Sequence, residues 1–300
     1  MTTRSGRSIP YKSDRARTQR PDGDLMDLEM FRIRGRTALV TGAAGLLGQK
    51  HLEILAEAGA NIVAADVTEA VAGVALRIGK EYGVDTMPVV VDIAEKDQVT
   101  AAFGAARERF GGLDILVNNA GMTVKGAGDE AQAYFAPFED YPLHIWERAI
   151  RTNVTGTFLC CQAAGRIMRE RGQGVILNIA SVAASSAPDQ RIYRGVEPPY
   201  GLAAFNNPPS YMTSKAAIVG LTKWLATYWG EHGIRVNSLS PGGVYHHHSD
   251  QFVRNYSNRV PLGRMAREDE YKGAVLFLVS DASTYMTGQD VIADGGLSVW

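Results

Sequence analysis

Tyr211 and Lys215, in the run Tyr-Met-Thr-Ser-Lys, stand four residues apart and share one face of any helix that contains them. A phenol near its ordinary pKa of ~10 is a poor base at neutral pH, but an ammonium group beside it stabilises the phenolate and lowers that value. A tyrosine so activated can pass a proton to or from an alcohol or carbonyl oxygen. Taken alone, such a pair is common on helix surfaces. Ser181, 30 residues upstream at the end of an apolar run, supplies a hydroxyl able to donate to the same oxygen.

A second constellation lies near the start of the chain. Ala38, Leu39 and Val40 form a short apolar run that breaks into a turn with glycines at 42, 45 and 48, and Leu52, Leu55 and Ala58 then recur at helical spacing. Strand, glycine turn and helix place the backbone N–H groups of Gly45, Leu46, Leu47 and Gly48 where a pyrophosphate can sit, and glycine lets the backbone approach it. Asp66 follows Gly42 by 24 residues at the end of the next apolar run, where an acid would hold adenosine ribose hydroxyls. Val67 comes next, and Ala43 and Ala44 in the turn carry no cation. A 2′-phosphate would meet a carboxylate with nothing to offset it, so the charge pattern predicts NAD(H) over NADP(H).

These groups need a scaffold, and the hydropathy pattern supplies one. Strand-like runs at 38–40, 62–65, 87–91, 115–117, 175–179, 236–239 and 291–293 alternate with helical runs at 46–58, 68–83, 95–110, 143–171, 210–232 and 269–279. Such alternation predicts right-handed crossovers and an α/β fold, a mostly parallel sheet covered on both faces. One doubly wound domain over 31–300 accounts for it, with ligands at the carboxyl ends of the strands. There the sequence places Asp92 and Ile93, the Asn118-Asn119-Ala120-Gly121 turn, Ser181, and Ser240-Pro241-Gly242-Gly243-Val244. Each alone would be a turn, but together they read as the floor of a cofactor cleft.

With 300 residues, 45% hydrophobic and 21% charged, the chain has material for one large core. A net charge of −1 argues against a general nucleic-acid or anionic-membrane binder. No run reaches the ~18 apolar residues of a membrane span, and no N-terminal stretch resembles a secretory signal. Cys160 and Cys161 are adjacent on a predicted helix and do not bridge readily, which fits a reducing cytoplasmic compartment. His246, His247 and His248 are consecutive, and neighbours on a loop splay apart, so no metal site is expected. Residues 1–30, rich in arginine, serine and proline, read as a weakly ordered or subunit-contacting arm.

The residues quoted, together with Asn153 in Arg-Thr-Asn-Val-Thr-Gly and the closing Asp294-Gly295-Gly296, resemble the short-chain dehydrogenases/reductases of the single-domain branch over about residues 34–298. The resemblance implies a Rossmann-type domain with a seven-stranded sheet and hydride transfer between a nicotinamide and a carbinol or carbonyl carbon. It implies Tyr211 as general acid/base, Ser181 polarising the substrate oxygen, Lys215 holding the nicotinamide ribose, and Asn153 anchoring a water in a proton relay. By the same resemblance Asp92 meets the adenine ring and residues 118–121 pack on the adenosine side. Two departures stand out. The middle glycine falls one place earlier than usual, and His246 sits near the place of a customary threonine after Pro241-Gly242.

The link from Ser181 to Tyr211 is longer than in most such proteins. Loops of this kind at a site are functional more often than not. Its Arg191, Tyr193 and Arg194, with His246, are candidate substrate contacts, since arginine forks suit carboxylate or phosphate and an aromatic ring can stack on a sugar. The alternative is a loop that packs on another subunit. A second enlarged loop, 122–142, carries Tyr134, Phe135 and Phe138 above the cleft. The Pro188-Asp189-Gln190-Arg191-Ile192-Tyr193 segment of the first link, taken with Ser240-Pro241-Gly242-Gly243-Val244-Tyr245, resembles that of members acting on sugars, and the resemblance implies a polyol, sugar or sugar derivative as substrate. Helices 143–171 and 210–232 are apolar on more than one face, with Phe158 and Trp224 among the surplus, which predicts a second subunit against them; the resemblance implies a homotetramer or homodimer. Two other readings stay open: a non-catalytic NAD-binding scaffold, and a dehydratase or epimerase of the longer branch.

Overall fold

In the computed structural model, which describes residues 28–123, 130–197 and 206–300, seven strands form one sheet in the order β3-β2-β1-β4-β5-β6-β7. They are β1 Thr37–Thr41, β2 Asn61–Asp66, β3 Thr86–Val90, β4 Ile115–Asn118, β5 Gly174–Ile179, β6 Ile234–Pro241 and β7 Asp290–Ala293. Every pairing is parallel. Chain order reverses between β1 and β4, and that switch point opens a crevice at the strand ends. The expected N-terminal arm falls outside the described residues except for a short 3-10 turn at Leu28–Phe31.

The helices are α1 Leu46–Glu57, α2 Ala70–Tyr82, α3 Lys96–Phe110, α4 Ala131–Tyr134, α5 Leu143–Ile150, α6 Thr157–Arg171, α7 Pro209–Trp229, α8 Asp250–Ser257 and α9 Lys272–Val279. Successive strand side chains point to opposite faces, and two cores result. Val40, Ile62, Val117 and Leu177 meet Leu52 and Leu55 of α1, Ile78 of α2 and Leu278 of α9. Leu39, Val63, Leu116 and Ile176 meet Phe103 of α3, Met168 of α6, and Leu225 and Trp229 of α7.

Two expectations need correction. The run 143–171 is not one regular helix, because a π-helical turn at Arg151–Gly156 joins α5 to α6 and contains Asn153. Single π turns tend to fall at functional sites. The helical run at 269–279 begins only at Lys272. Helix α8, absent from the periodicity reading, is capped by the Ser249 hydroxyl, which accepts from the Phe252 N–H.

Within α1, His51 is fully buried and neither ring nitrogen has a hydrogen-bond partner among the described residues. Burial penalises the imidazolium and pulls its pKa down to about 4. The unfolded chain therefore binds a proton that the folded one refuses. Stability is full above pH ~6.5 and is lost as pH falls toward 4, by roughly 3 kcal/mol. Urea melts at pH 7 and pH 5 test this: His51→Leu should flatten the difference, and an unchanged slope would exclude His51 as its source.

Candidate functional site

A cavity of about 1170 Å³ runs along the carboxyl ends of the strands. Its first wall is the turn after β1. Gly42 has φ +64°, and a Cβ there would lie 2.7 Å from the Ala120 Cα. A Cβ on Gly48 would come within 2.1 Å of the Gly42 carbonyl oxygen. Gly45 caps α1 with no side-chain hydrogen bond to the helix end, and Leu46, Leu47 and Gly48 of the first turn, where a helix leaves backbone N–H groups without intrahelical partners, line the cavity. This tight cradle suits a pyrophosphate.

Asp66 lies at the tip of β2. One carboxylate oxygen accepts from the Ala44 N–H at 2.9 Å, and the other accepts from the Thr68 N–H and hydroxyl at 3.0 and 2.9 Å. The acid is thus oriented by the glycine turn itself, with Val67 beside it on the cavity wall. Asp92 is held through its Oδ1, which accepts from the Ala94 N–H, and Ile93 lines the same stretch. Asn119 donates to the carbonyls of Thr41 and Gly42, both at 3.0 Å, which locks the β4 turn against the β1 turn. Ala120, Gly121, Pro241, Gly242 and Val244 complete this half of the wall. The residues present fit a dinucleotide: a glycine cradle, an oriented acid at the second strand tip and a continuous cleft.

Tyr211, Lys215 and Ser181 line the middle of the cavity. Tyr211 lies in the first turn of α7, pre-set by Pro209 at the helix start. Burial pushes the pKa of the Tyr211 phenol up, and the nearby Ser181 hydroxyl partly offsets this by drawing it down. Lys215 Nζ lies 5.9 Å from the centre of the Tyr211 ring and donates to the Ile179 carbonyl at 2.7 Å. Burial lowers its pKa to about 8, so the ammonium form still predominates at pH 7. In this state burial outweighs the lowering expected for the tyrosine.

Asn153 does not line the cavity among the described residues. Its Oδ1 accepts from the Met122 N–H at 2.6 Å, and its Nδ2 donates to Ser214 Oγ at 2.9 Å. Ser214 in turn donates to the Tyr211 carbonyl at 2.8 Å. The side chain therefore ties the β4 loop to the helix bearing Tyr211 and Lys215. Its backbone carbonyl accepts from the Thr157 hydroxyl at 2.7 Å.

At the far end the substrate candidates divide. Tyr193 and His246 line the cavity, but Arg191 and Arg194 do not. The Arg191 guanidinium is taken by Asp189, with its Nη2 2.7 Å from Oδ2. Asp189 also pairs with Arg259, and both of these face the cavity. The long link up to residue 197 packs on its own chain. Asn255 of α8 donates to the carbonyls of Ile192 and Arg194 at 2.9 and 2.8 Å, and Tyr193 stacks on Phe252 at 5.7 Å. Phe252 stacks in turn on His248 at 4.9 Å. In the other loop Tyr134 and Phe135 are buried with Ile145, Phe138 points to solvent, and Met122 and Thr123 reach the cleft. No group of three or more potential metal ligands occurs among the described residues.

Periodicity missed Asn207, Phe252, Arg259 and Trp300, all of which line this end. The spacing of Phe252, Val253 and Tyr256 behind Ser249 was the available signal for α8.

Comparison with known proteins decides the family. The family model described as short chain dehydrogenase matches residues 36–194, and one described as enoyl-(acyl carrier protein) reductase matches 200–298. This chain is a short-chain dehydrogenase. A D-threitol dehydrogenase of Mycolicibacterium smegmatis is 36% identical over 275 residues, covering 90% of this chain and 95% of that protein. The structure of a gluconate 5-dehydrogenase from Burkholderia cenocepacia J2315, in complex with NADP and tartrate, has a TM-score of 0.79 at 34% identity. The match covers 91% of this chain and 99% of that one. A short chain dehydrogenase from Leptospira borgpetersenii with bound NAD+ has a TM-score of 0.76 at 30% identity, covering 93% and 99%. The short-chain dehydrogenase described here is thus an oxidoreductase of CH–OH groups that works with a nicotinamide cofactor. No helix among its described residues is long and apolar enough to cross a membrane.

Proposed function

We propose that this short-chain dehydrogenase interconverts a secondary alcohol and a ketone on a polyol, sugar or sugar derivative, using NAD(H). The observation that carries the reading is that Ser181 and Tyr211 share the wall of the glycine-lined cavity, with Lys215 one helical turn on from the tyrosine. A bound nicotinamide supplies a hydride acceptor or donor at its C4 carbon. The chain does the rest. Ser181 donates to the substrate oxygen and fixes it beside Tyr211. The Tyr211 phenolate takes the hydroxyl proton during oxidation, and the phenol returns it during reduction. Lys215 holds positive charge near that oxygen and the ribose, while Asn153 and Ser214 keep Tyr211 in register. Screening sugar alcohols, aldonates and sugar phosphates with NAD+, by absorbance of the reduced nicotinamide, tests this. Turnover on long-chain acyl or steroid alcohols alone would overturn the substrate class.

The cofactor choice rests on Asp66. Its oriented carboxylate faces the cleft with uncharged Ala43, Ala44 and Val67 around it, an arrangement that accepts ribose hydroxyls and repels a phosphate. The specificity constant for NAD+ is expected to exceed that for NADP+ at least about 10-fold, a coulombic difference of about 1.4 kcal/mol or more. Asp66→Ala should narrow the gap. A native preference for NADP+ would defeat the assignment.

Assembly as a homotetramer or homodimer is supported by the outer faces of α6 and α7. Phe158, Trp224 and Tyr228 are exposed there, and the last two stack at 4.9 Å. Exposed aromatic patches of this kind serve as contact surfaces. Light scattering at micromolar concentration should give a multiple of the 32.4 kDa chain mass. Trp224→Glu should lower it, and a monomeric native protein would contradict the proposal.

A further inference from the structure

Asn207 lies four residues before Tyr211, just ahead of α7, and lines the same cavity as Ser181 and Tyr211. Three of its polar atoms bear on where its amide oxygen is placed. Its backbone N–H donates to Gln190 Oε1 at 2.9 Å, and its side-chain Nδ2 donates to the Tyr193 hydroxyl at 3.3 Å. Its Oδ1 is buried and has no hydrogen-bond partner among the described residues. The nitrogen is thus committed to a neighbour that is itself stacked on α8, and this leaves the acceptor as the spare half of the carboxamide.

An unmatched buried acceptor carries a desolvation cost that a native structure rarely bears without a use. Other unpaired polar atoms occur at His51 and Asn118, which do not line the cavity, and at Arg148, which does. The Arg148 atoms, Nε and Nη2, are donors, so Asn207 holds the unpaired acceptor of the cavity lining among the described residues. The free atom at Asn207 is an acceptor, so the ligand group that satisfies it is a donor. A carboxylate or phosphate cannot fill that role, whereas a hydroxyl can. Ser181 and Tyr211 already serve the reacting oxygen, so this donor is a second one. The terminal amide torsion is broad, and a turn about it that brings the buried oxygen to the cavity surface exchanges the long 3.3 Å bond to Tyr193 for one to the ligand, while the backbone stays held by Gln190.

We infer that Asn207 is a specificity-determining residue that accepts a hydrogen bond from a second hydroxyl of the substrate, and so selects diols and polyols over mono-alcohols. The inference rests on the assignment of Ser181 and Tyr211 to the reacting oxygen. It adds a requirement on the substrate that the assignment itself does not make.

A matched pair of secondary alcohols separates the two: butane-2,3-diol and butan-2-ol, each oxidised with NAD+. The native enzyme should favour the diol. Asn207→Leu, which keeps the branched shape and the backbone bond to Gln190 but removes the acceptor together with the donor to Tyr193, should lower kcat/KM for the diol at least about 10-fold while butan-2-ol changes less than about twofold. Asn207→Ala should show the same selective loss. An equal fall for both alcohols would reduce Asn207 to a packing role and overturn the inference, as would a diol rate that does not change. If the native enzyme oxidises butan-2-ol in a Tyr211-dependent way but shows no diol preference, the inference fails and the catalytic reading stands. If Tyr211→Phe leaves the oxidation of both alcohols intact, the catalytic reading fails, and the inference with it.

Discussion

Replacing Tyr211 by Phe is expected to lower kcat/KM for alcohol oxidation by about 10²- to 10⁴-fold, the usual worth of a positioned proton acceptor, while NAD(H) binds within about twofold of its native affinity. The change removes one hydroxyl and leaves the ring that packs at the start of α7. What is lost is the hydroxyl beside Ser181, the group that exchanges the proton. The pH profile gives a second readout. Burial pushes the phenol up, the nearby Ser181 hydroxyl pulls it back in part, and Lys215, itself lowered to about 8, is charged at neutral pH. Oxidation needs the phenolate, so its rate should climb as pH rises. Reduction needs the phenol, so its rate should fall over the same range. Lys215→Met should move the oxidation limb to higher pH, because the nearby positive charge that favours the phenolate is gone. Retained turnover in Tyr211→Phe would end the assignment. An unshifted limb in Lys215→Met would assign the lysine to cofactor binding alone.

How much of this was legible in advance follows from what each feature is made of. The glycine turn, Asp66, the strand ends and the Tyr211–Lys215 pair are local: the backbone conformation or helical spacing that creates each is written within a few residues. All seven strands were readable: the five inner ones are buried, nearly continuous apolar runs, and the edge strands β3 and β7, with no buried residue, still carry short apolar runs between helical segments. The substrate end is different. It is assembled from residues 189–193, 207, 246–259 and 297–300, which only the tertiary fold brings together. Arg191 shows the cost of reading such a region from residue type. An arginine on a long loop suggests an anion site, yet Asp189, two residues earlier, claims its guanidinium and also accepts its backbone N–H. That local Asp-x-Arg pattern was the available sign. Asn153 differs again. Its position was found from resemblance, but the π turn that carries it has no signature in hydrophobic periodicity. The commitment of its amide to Met122 and Ser214 depends on contacts across 31 and 61 residues.

Adding one methyl group at Gly48 should also damage the enzyme, through cofactor binding and stability rather than proton transfer. The new Cβ would lie 2.1 Å from the Gly42 carbonyl oxygen and 3.0 Å from the Ala43 Cα, both backbone atoms. The turn cannot retreat, since Gly42 sits at φ +64° with the Ala120 backbone already behind it and is bound through Asn119. The first turn of α1 must therefore move outward, and the amides at Leu46 and Leu47 move with it. Overpacking of this kind costs about 1–3 kcal/mol, which for a chain of this size lowers Tm by roughly 2–10 °C. Because the displaced amides form the cradle itself, NAD+ affinity should fall further, at least about 10-fold by fluorescence or calorimetric titration. Gly73→Ala is the control. It lies exposed within α2 with nothing within 4 Å of the new Cβ, so it should raise stability by about 0.5–1 kcal/mol and leave binding alone. A Gly48→Ala protein that melts lower but binds NAD+ with native affinity would show that the crowding is real and that the dinucleotide lies elsewhere along the cleft.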